Sequence, residues 1–265
     1  MRFVMPLPVQ LKYALTQVMP NKTQVYAALK SKPGAQKRDL SRLGISQETI
    51  EKHVDELRGD REFYNYFTTK MGSAKAIEPK AGGVPSIHIL EFIYSVIREY
   101  KPEVLVETGV GAGGTSMFIL KALHANNEGK LYSIDLPGFD RNFYPTIGKG
   151  YNIHVPNGWE PGWLVPSELK SRWVLTLGDS KLELPILLDK LKSIDLFLHD
   201  SLHTYENMMF EYCLAHMHLR DGAYLMSDDV TIWWSFAFID FCNAMKLHFA
   251  LVDGSLGIAK VQKQG

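Results

Sequence analysis

The sequence predicts an α/β protein: a doubly wound, seven-stranded sheet with an antiparallel last strand, preceded by an N-terminal helical arm. Three observations carry this. First, Val104-Leu-Val106 is a short apolar run, followed by glycines at 109, 111, 113 and 114 and an apolar helical stretch, Met117 to Leu123. An aliphatic strand bounded by turn formers fits a parallel sheet covered on both faces. Second, strands and helices alternate regularly from Trp173 onward, as βαβ units require. Third, Asp253-Gly254 joins two apolar strands, and an Asp-Gly pair at that place closes a hairpin, which makes the last strand antiparallel.

Each element follows in order. Residues 1–80 read as a helical arm with no catalytic constellation, and their basic excess lies in the first forty positions. Ser46 caps a helix with Glu48 in its first turn and Ile50, Val54 and Leu57 at helical spacing. Lys80 to Pro85 reads as a hinge into a second unit, 81–265. Ser86 caps an amphipathic helix, Ile87–Tyr100, which Lys101-Pro102 stops. After the glycine turn, Thr115 and Ser116 are the expected caps of the next helix, and Lys130–Asp135 is the second strand. The stretch 137–172 is long, aromatic and rich in Gly and Pro, with Trp159 and Trp163 near its end. Connections of that length in compact domains are commonly lids, and a lid insertion is expected here. The remaining elements are strands at 173–177, 194–200, 223–229, 249–252 and 256–261, with helices at 180–191, 205–219 and 233–245 between them.

Composition narrows the function. The chain has 265 residues, 46% of them hydrophobic, enough to bury a sizeable core. Its net charge is zero, which gives no global attraction to nucleic acid or to an anionic membrane. No apolar run is long enough to span a bilayer, so a cytoplasmic protein is expected. Cys213 and Cys242 fall in apolar helical patterns and read as reduced core residues. The arm and the aromatic insertion make a homo-oligomer the expected assembly.

In open α/β sheets ligands bind beyond the carboxyl ends of the strands. What the strands deliver there is acidic throughout: Glu107, Asp135, Asp179, His199-Asp200 and Asp228-Asp229. Helix capping explains one or two such carboxylates, not five strand ends. The glycine turn itself fits two templates. Gly109-x-Gly111-x-x-Gly114 matches a dinucleotide fingerprint, and an NAD-linked oxidoreductase is the rival reading. Glu107 argues against it, because an acid at that point repels a pyrophosphate. Asp135 stands where a carboxylate can accept both hydroxyls of a ribose.

Residues 104–135, 173–206 and 223–261 resemble the class I S-adenosylmethionine (SAM)-dependent methyltransferases, which are Rossmann-like. Within them the match leans to the small-molecule O-methyltransferase branch of macrocin O-methyltransferase-like proteins and cephalosporin hydroxylases. The motifs are Glu107-Thr-Gly-Val-Gly-Ala-Gly-Gly-Thr-Ser116, Tyr132-Ser-Ile-Asp135, Asp195 to Glu206, Ser227-Asp-Asp229 and Gly254 to Ala259. The resemblance implies a seventh strand inserted before the sixth. It implies that Glu107 lies under the methionine end of SAM and that Gly109, Gly111 and Gly113 line methionine and ribose, with Thr115 and Ser116 completing the loop. It implies that Asp135 holds the ribose, that Asp179 and Ser180 meet the adenine, and that Asp200, Asp228 and Asp229 bind a divalent cation, Mg²⁺ by its preference for oxygen.

The expected reaction is transfer of the SAM methyl to a hydroxyl of a small molecule, with His203 as base beside Asp200. Relatives carry an Asp-x-Asp-His run, whereas Leu202 replaces the second Asp here, which places the load on His203. His199 is the lesser candidate, and Tyr205 and Glu206 are expected to orient the histidine. A nucleic-acid acceptor is not expected, since an acidic rim repels phosphates. A non-catalytic module on the same fold, binding no SAM, is the remaining alternative.

Overall fold

The structure, a computed structural model, describes residues 40–77, 83–136, 155, 159–231 and 236–263. Lys30, Lys32, Lys37 and Arg38 of the basic arm, the start of the expected hinge, most of the lid stretch (137–154 and 156–158) and the first turn expected at Trp233 lie outside these residues.

Seven strands form one sheet: β1 (Val104–Thr108), β2 (Lys130–Asp135), β3 (Trp173–Leu177), β4 (Ile194–His199), β5 (Leu219–Ser227), β6 (His248–Val252) and β7 (Leu256–Lys260). Their order is β3-β2-β1-β4-β5-β7-β6. β1 to β5 are mutually parallel, and β7 is antiparallel to both β5 and β6. The antiparallel last strand inside the sixth is therefore as expected. Chain order reverses between β1 and β4, and in open α/β sheets this switch point, at the carboxyl ends of the strands, is where ligands bind.

The helices are α1 (Gln47–Gly59), α2 (Arg61–Ile77), α3 (Ile87–Tyr100), α4 (Gly114–Asn126), α5 (Ser180–Leu191), α6 (Tyr205–His218) and α7 (Ala237–Ala244). One core joins α3, α4 and the arm to one sheet face; a second joins α5, α6 and α7 to the other. Ser46 and Ser86 cap α1 and α3 by accepting the amides of Thr49 and Ile89, as the sequence predicts. Cys213 and Cys242 are buried free thiols.

Residues 40–77 of the arm share the main core. Leu40, Leu43, Leu57 and Phe63 are buried in it, and Phe63, Tyr64 and Phe67 set their rings edge-on against Phe118 of α4. Polar clasps add to this packing. Arg58 donates twice to the buried Glu91 carboxylate at 2.7 Å, Tyr64 donates to it at 2.8 Å, and Tyr224 donates to the Leu43 carbonyl at 2.6 Å.

Three departures from the sequence reading bear on the site. β1 runs two residues further, because Glu107 and Thr108 still pair with β2 and β4. β5 starts at Leu219, where Arg220-Asp-Gly222 reads as a turn; a register shift opposite Ile194 and Leu196 and a φ of +77° at Gly222 absorb the irregularity within the strand. No side chain caps α4. Its cap is Gly113 at φ 86°, so Thr115 and Ser116 lie inside the first turn, past the position from which a hydroxyl can reach the free amides.

Candidate active site

The glycine turn connects β1 to α4 at this switch point. Gly111 has φ +51°, and a Cβ built there meets nothing within 4 Å, so this residue faces open space. Gly109 is different. A Cβ there would fall 1.9 Å from the Asp200 carbonyl oxygen, so its bare backbone serves close packing of the β1 and β4 ends.

Asp135, closing β2, reaches over the turn. Its Oδ2 accepts the amides of Val110 at 2.7 Å and Gly111 at 2.9 Å. Burial raises its pKa, and those two amides work against the rise. The opposite edge of the turn is held by the tail of the lid stretch. Gly162 donates to the Gly111 carbonyl at 2.9 Å and Leu164 to that of Ala112 at 3.0 Å. Leu164 and Val165 are buried, and the Trp159 and Trp163 rings meet edge-on at 4.9 Å. Residues 161–166 of the expected lid stretch are thus packed against the turn.

Glu107 is fully buried beneath the turn. Its Oε2 accepts the hydroxyls of Ser116 and Ser133, each at 2.7 Å, whereas Oε1 is buried without a partner among the described residues. Ser116 therefore reaches the methionine end of the expected cofactor site only through Glu107. Burial pushes the Glu107 pKa up to about 7, the serine hydroxyls oppose it, and Asp135 adds to it.

The other strand ends bring the remaining acids together. Asp200 follows β4; Asp228 and Asp229 follow β5, with Asp229 in the left-handed region at φ 53°. Burial, followed by the charges of Asp228, Glu107, Asp229 and Asp135, lifts the Asp200 pKa well above the usual carboxylate range. Asp228 is raised by burial and by Asp229. His203 Nε2 lies 3.6 Å from Asp200 Oδ1 and 3.9 Å from Asp229 Oδ2, and Ser255 Oγ lies 3.3 and 3.2 Å from Asp228 and Asp229. The site therefore gathers carboxyl groups with no neutralising Lys or Arg among these contacts, and this holds Asp200 and Asp228 toward their protonated forms.

Asp200, Asp228 and Asp229 are the expected ligands of a divalent cation. Among the described residues no three His, Cys, Asp or Glu side chains are grouped so as to hold a metal ion. The donor set as folded does not fit the expected Mg²⁺, because hard cations need their oxygens convergent within about 2.0–2.6 Å.

Two further expectations are placed differently. Asp179 caps α5 by accepting the Lys181 amide at 2.9 Å, while Ser180 turns inward and donates to Glu211 at 2.6 Å. Tyr205 donates to Asp240 at 3.1 Å rather than to either histidine, and Glu206 is exposed.

The residue that sequence reasoning missed is Glu211, fully buried in α6. Its carboxylate accepts Thr108, Ser180, Ser201 and Asn207, and pairs with His199 Nδ1 at 2.7 Å. Burial alone would raise its pKa; His199 and the donated hydrogen bonds overcome that and hold it at about 2. The available signal was a lone acid on the stripe Met208, Glu211, Tyr212 and Ala215, whose other members are apolar and face the core at helical spacing.

A family model described as a methyltransferase domain matches residues 106–230, the span from β1 to just past β5. No curated protein matches the sequence. Among solved structures, the O-methyltransferase from Bacillus cereus in complex with SAH is 11% identical, with a TM-score of 0.51 over 88% of this chain and 100% of that one. Cofactor-bound Rv0187 from MTB is 13% identical, with a TM-score of 0.52 over 93% of this chain and 100% of that one. These likenesses show a shared fold.

Proposed function

We propose that this chain is a SAM-dependent methyltransferase that moves a methyl group to a hydroxyl of a small molecule. One observation carries the reading: the glycine-turn amides that would cradle a pyrophosphate are given to Asp135, with Glu107 buried beneath the turn and Asp200, Asp228 and Asp229 at the neighbouring strand ends. A turn with its donors occupied and acids around it offers nothing to a dinucleotide's phosphates. It suits a cofactor bearing an ammonium and a sulfonium. The methyltransferase-domain match over 106–230 supports the same choice.

When bound, the cofactor supplies a methyl group already activated by positive sulfur. The chain's own groups do the rest. Open backbone at Gly111 would admit the cofactor, and Asp135, whose Oδ2 accepts the turn amides, would hold the ribose hydroxyls through its second oxygen. Glu107 favours the ammonium end by charge. The acceptor oxygen is positioned for in-line attack near the His203–Asp200 pair, where His203, 3.6 Å from Asp200, takes the hydroxyl proton and the carboxylates stabilise the imidazolium that results. The acidic rim selects uncharged or cationic acceptors and disfavours nucleic acid.

Calorimetry and thermal denaturation with S-adenosylhomocysteine (SAH) and with NAD⁺ test the assignment. SAH at about 100 times its dissociation constant adds about 2.7 kcal/mol of stability. Stabilisation by NAD⁺ and not by SAH would overturn it.

A further inference from the structure

Glu211 is too well bonded to be an accident of packing. A carboxylate offers about four lone-pair sites. Glu211 fills them with five neighbours drawn from four places: Thr108 at the end of β1, Ser180 opening α5, His199 and Ser201 flanking Asp200, and Asn207 one turn earlier in α6. Asn207 Nδ2, itself buried, also donates to Ser201 Oγ and to the Leu202 carbonyl, each at 3.2 Å. The turn 200–203 carries both Asp200 and His203. It is therefore held on its β4 side through His199, in its middle through Ser201, and beside His203 through Leu202.

His199 extends the hold. Its Nδ1 faces an acceptor-only carboxylate, so Nδ1 carries the hydrogen, and Nε2, with no acceptor for a second hydrogen among the described residues, is a bare acceptor. That Nε2 is buried without a partner among the described residues, and so is Nδ1 of His203. The two rings stand edge-to-face, centroids 5.2 Å apart at 89°. Fixing the His199 ring fixes the surface against which His203 rests.

We propose that Glu211 is the positioning residue of the active site, setting the place of His203 and Asp200 through His199, Ser201 and Asn207. This rests on the methyltransferase reading for its purpose, though its geometry stands apart from that reading. The test uses the full chain, with and without SAH, and the wild type beside Glu211→Gln and Asn207→Ala. Long-range ¹H–¹⁵N spectra of the imidazoles, assigned with His199→Gln and His203→Gln, report the ring nitrogens directly.

In the wild type, His199 shows a single Nδ1–H tautomer. Glu211→Gln loses that signature and moves or broadens the His203 resonances, while SAH affinity stays within about threefold because the cofactor contacts lie elsewhere. Asn207→Ala moves His203 and leaves the His199 tautomer in place. Should Glu211→Gln fail to fold, Asn207→Ala and Ser201→Ala decide the matter. His203 resonances that match the wild type in every folded variant overturn the proposal. Absence of SAH binding by the wild type strikes the methyltransferase reading instead, and is read separately.

Discussion

Glu107 gives the sharpest test of the electrostatics. Its folded pKa is about 7 against a usual 4.5, so between those values the folded chain holds a proton that the unfolded chain has released. Stability therefore falls as pH rises through that window and is flat above it. The shift corresponds to about 3 kcal/mol, of which roughly 2.5 kcal/mol falls between pH 5 and pH 8. Asp135, Asp200 and Asp228 are also raised and slope the same way, whereas Glu211 is already ionised in both states across the upper part of the window. The informative quantity is thus the difference between wild type and Glu107→Gln. Gln keeps the shape and one acceptor for Ser116 and Ser133, but cannot ionise. Urea denaturation of the ligand-free proteins at pH 5 and pH 8 should show the variant losing about 2–3 kcal/mol less than wild type across that interval. SAH affinity at pH 8 should fall about tenfold in the variant, since the partnerless Oε1 no longer presents charge to the ammonium. Equal pH slopes in the two proteins would refute a buried carboxyl neutral at pH 5 and ionised at pH 8.

Other outcomes follow from the same geometry. Gly111→Val projects its side chain into open space and should abolish SAH binding in calorimetry, while the positive φ costs about 1–2 kcal/mol; retained binding means the turn does not face the ligand. Gly109→Ala, by contrast, should prevent folding to a cooperative state, as judged by thermal denaturation, because its Cβ meets backbone at 1.9 Å. Phe118→Ala should cost about 3–5 kcal/mol in denaturant unfolding, since it opens a cavity beneath Phe63, Tyr64 and Phe67 and loosens α2; a loss below about 1 kcal/mol would mean the arm does not share the core. SAH affinity should be indifferent to Mg²⁺ and to EDTA, because among the described residues no three metal-ligating side chains are grouped so as to hold an ion; a change of tenfold or more would show that ligands draw the three aspartates together.

Much of the fold was legible in the chain. β2 and β3 and helices α3 and α5 lie where apolar runs, Ser86 and the Asp179-Ser180 pair put them, because these signals act within a few residues. The acidic strand ends were legible for the same reason: a parallel sheet sends every strand's last residue to one rim. Other features depend on distances that no local pattern encodes. Whether Thr115 and Ser116 cap a helix turned on one residue of helix start, which Gly113 set through its left-handed φ. Residues 159–166 read as part of an aromatic lid insertion, and only the fold shows that Gly162 and Leu164 pair with the glycine turn some fifty residues earlier.

The sequence by itself determined the alternation of strands and helices, the closing hairpin and the ring of carboxylates, all consequences of side-chain period and turn chemistry along a short stretch of chain. Only the tertiary structure decided which of those carboxylates face one another, that Asp135 occupies the turn's amides, and that Glu211 ties four segments together. Hydrogen bonds form over about 3 Å, and it is the packing of two cores across the sheet that brings residues a hundred positions apart, such as Thr108 and Glu211, within that reach.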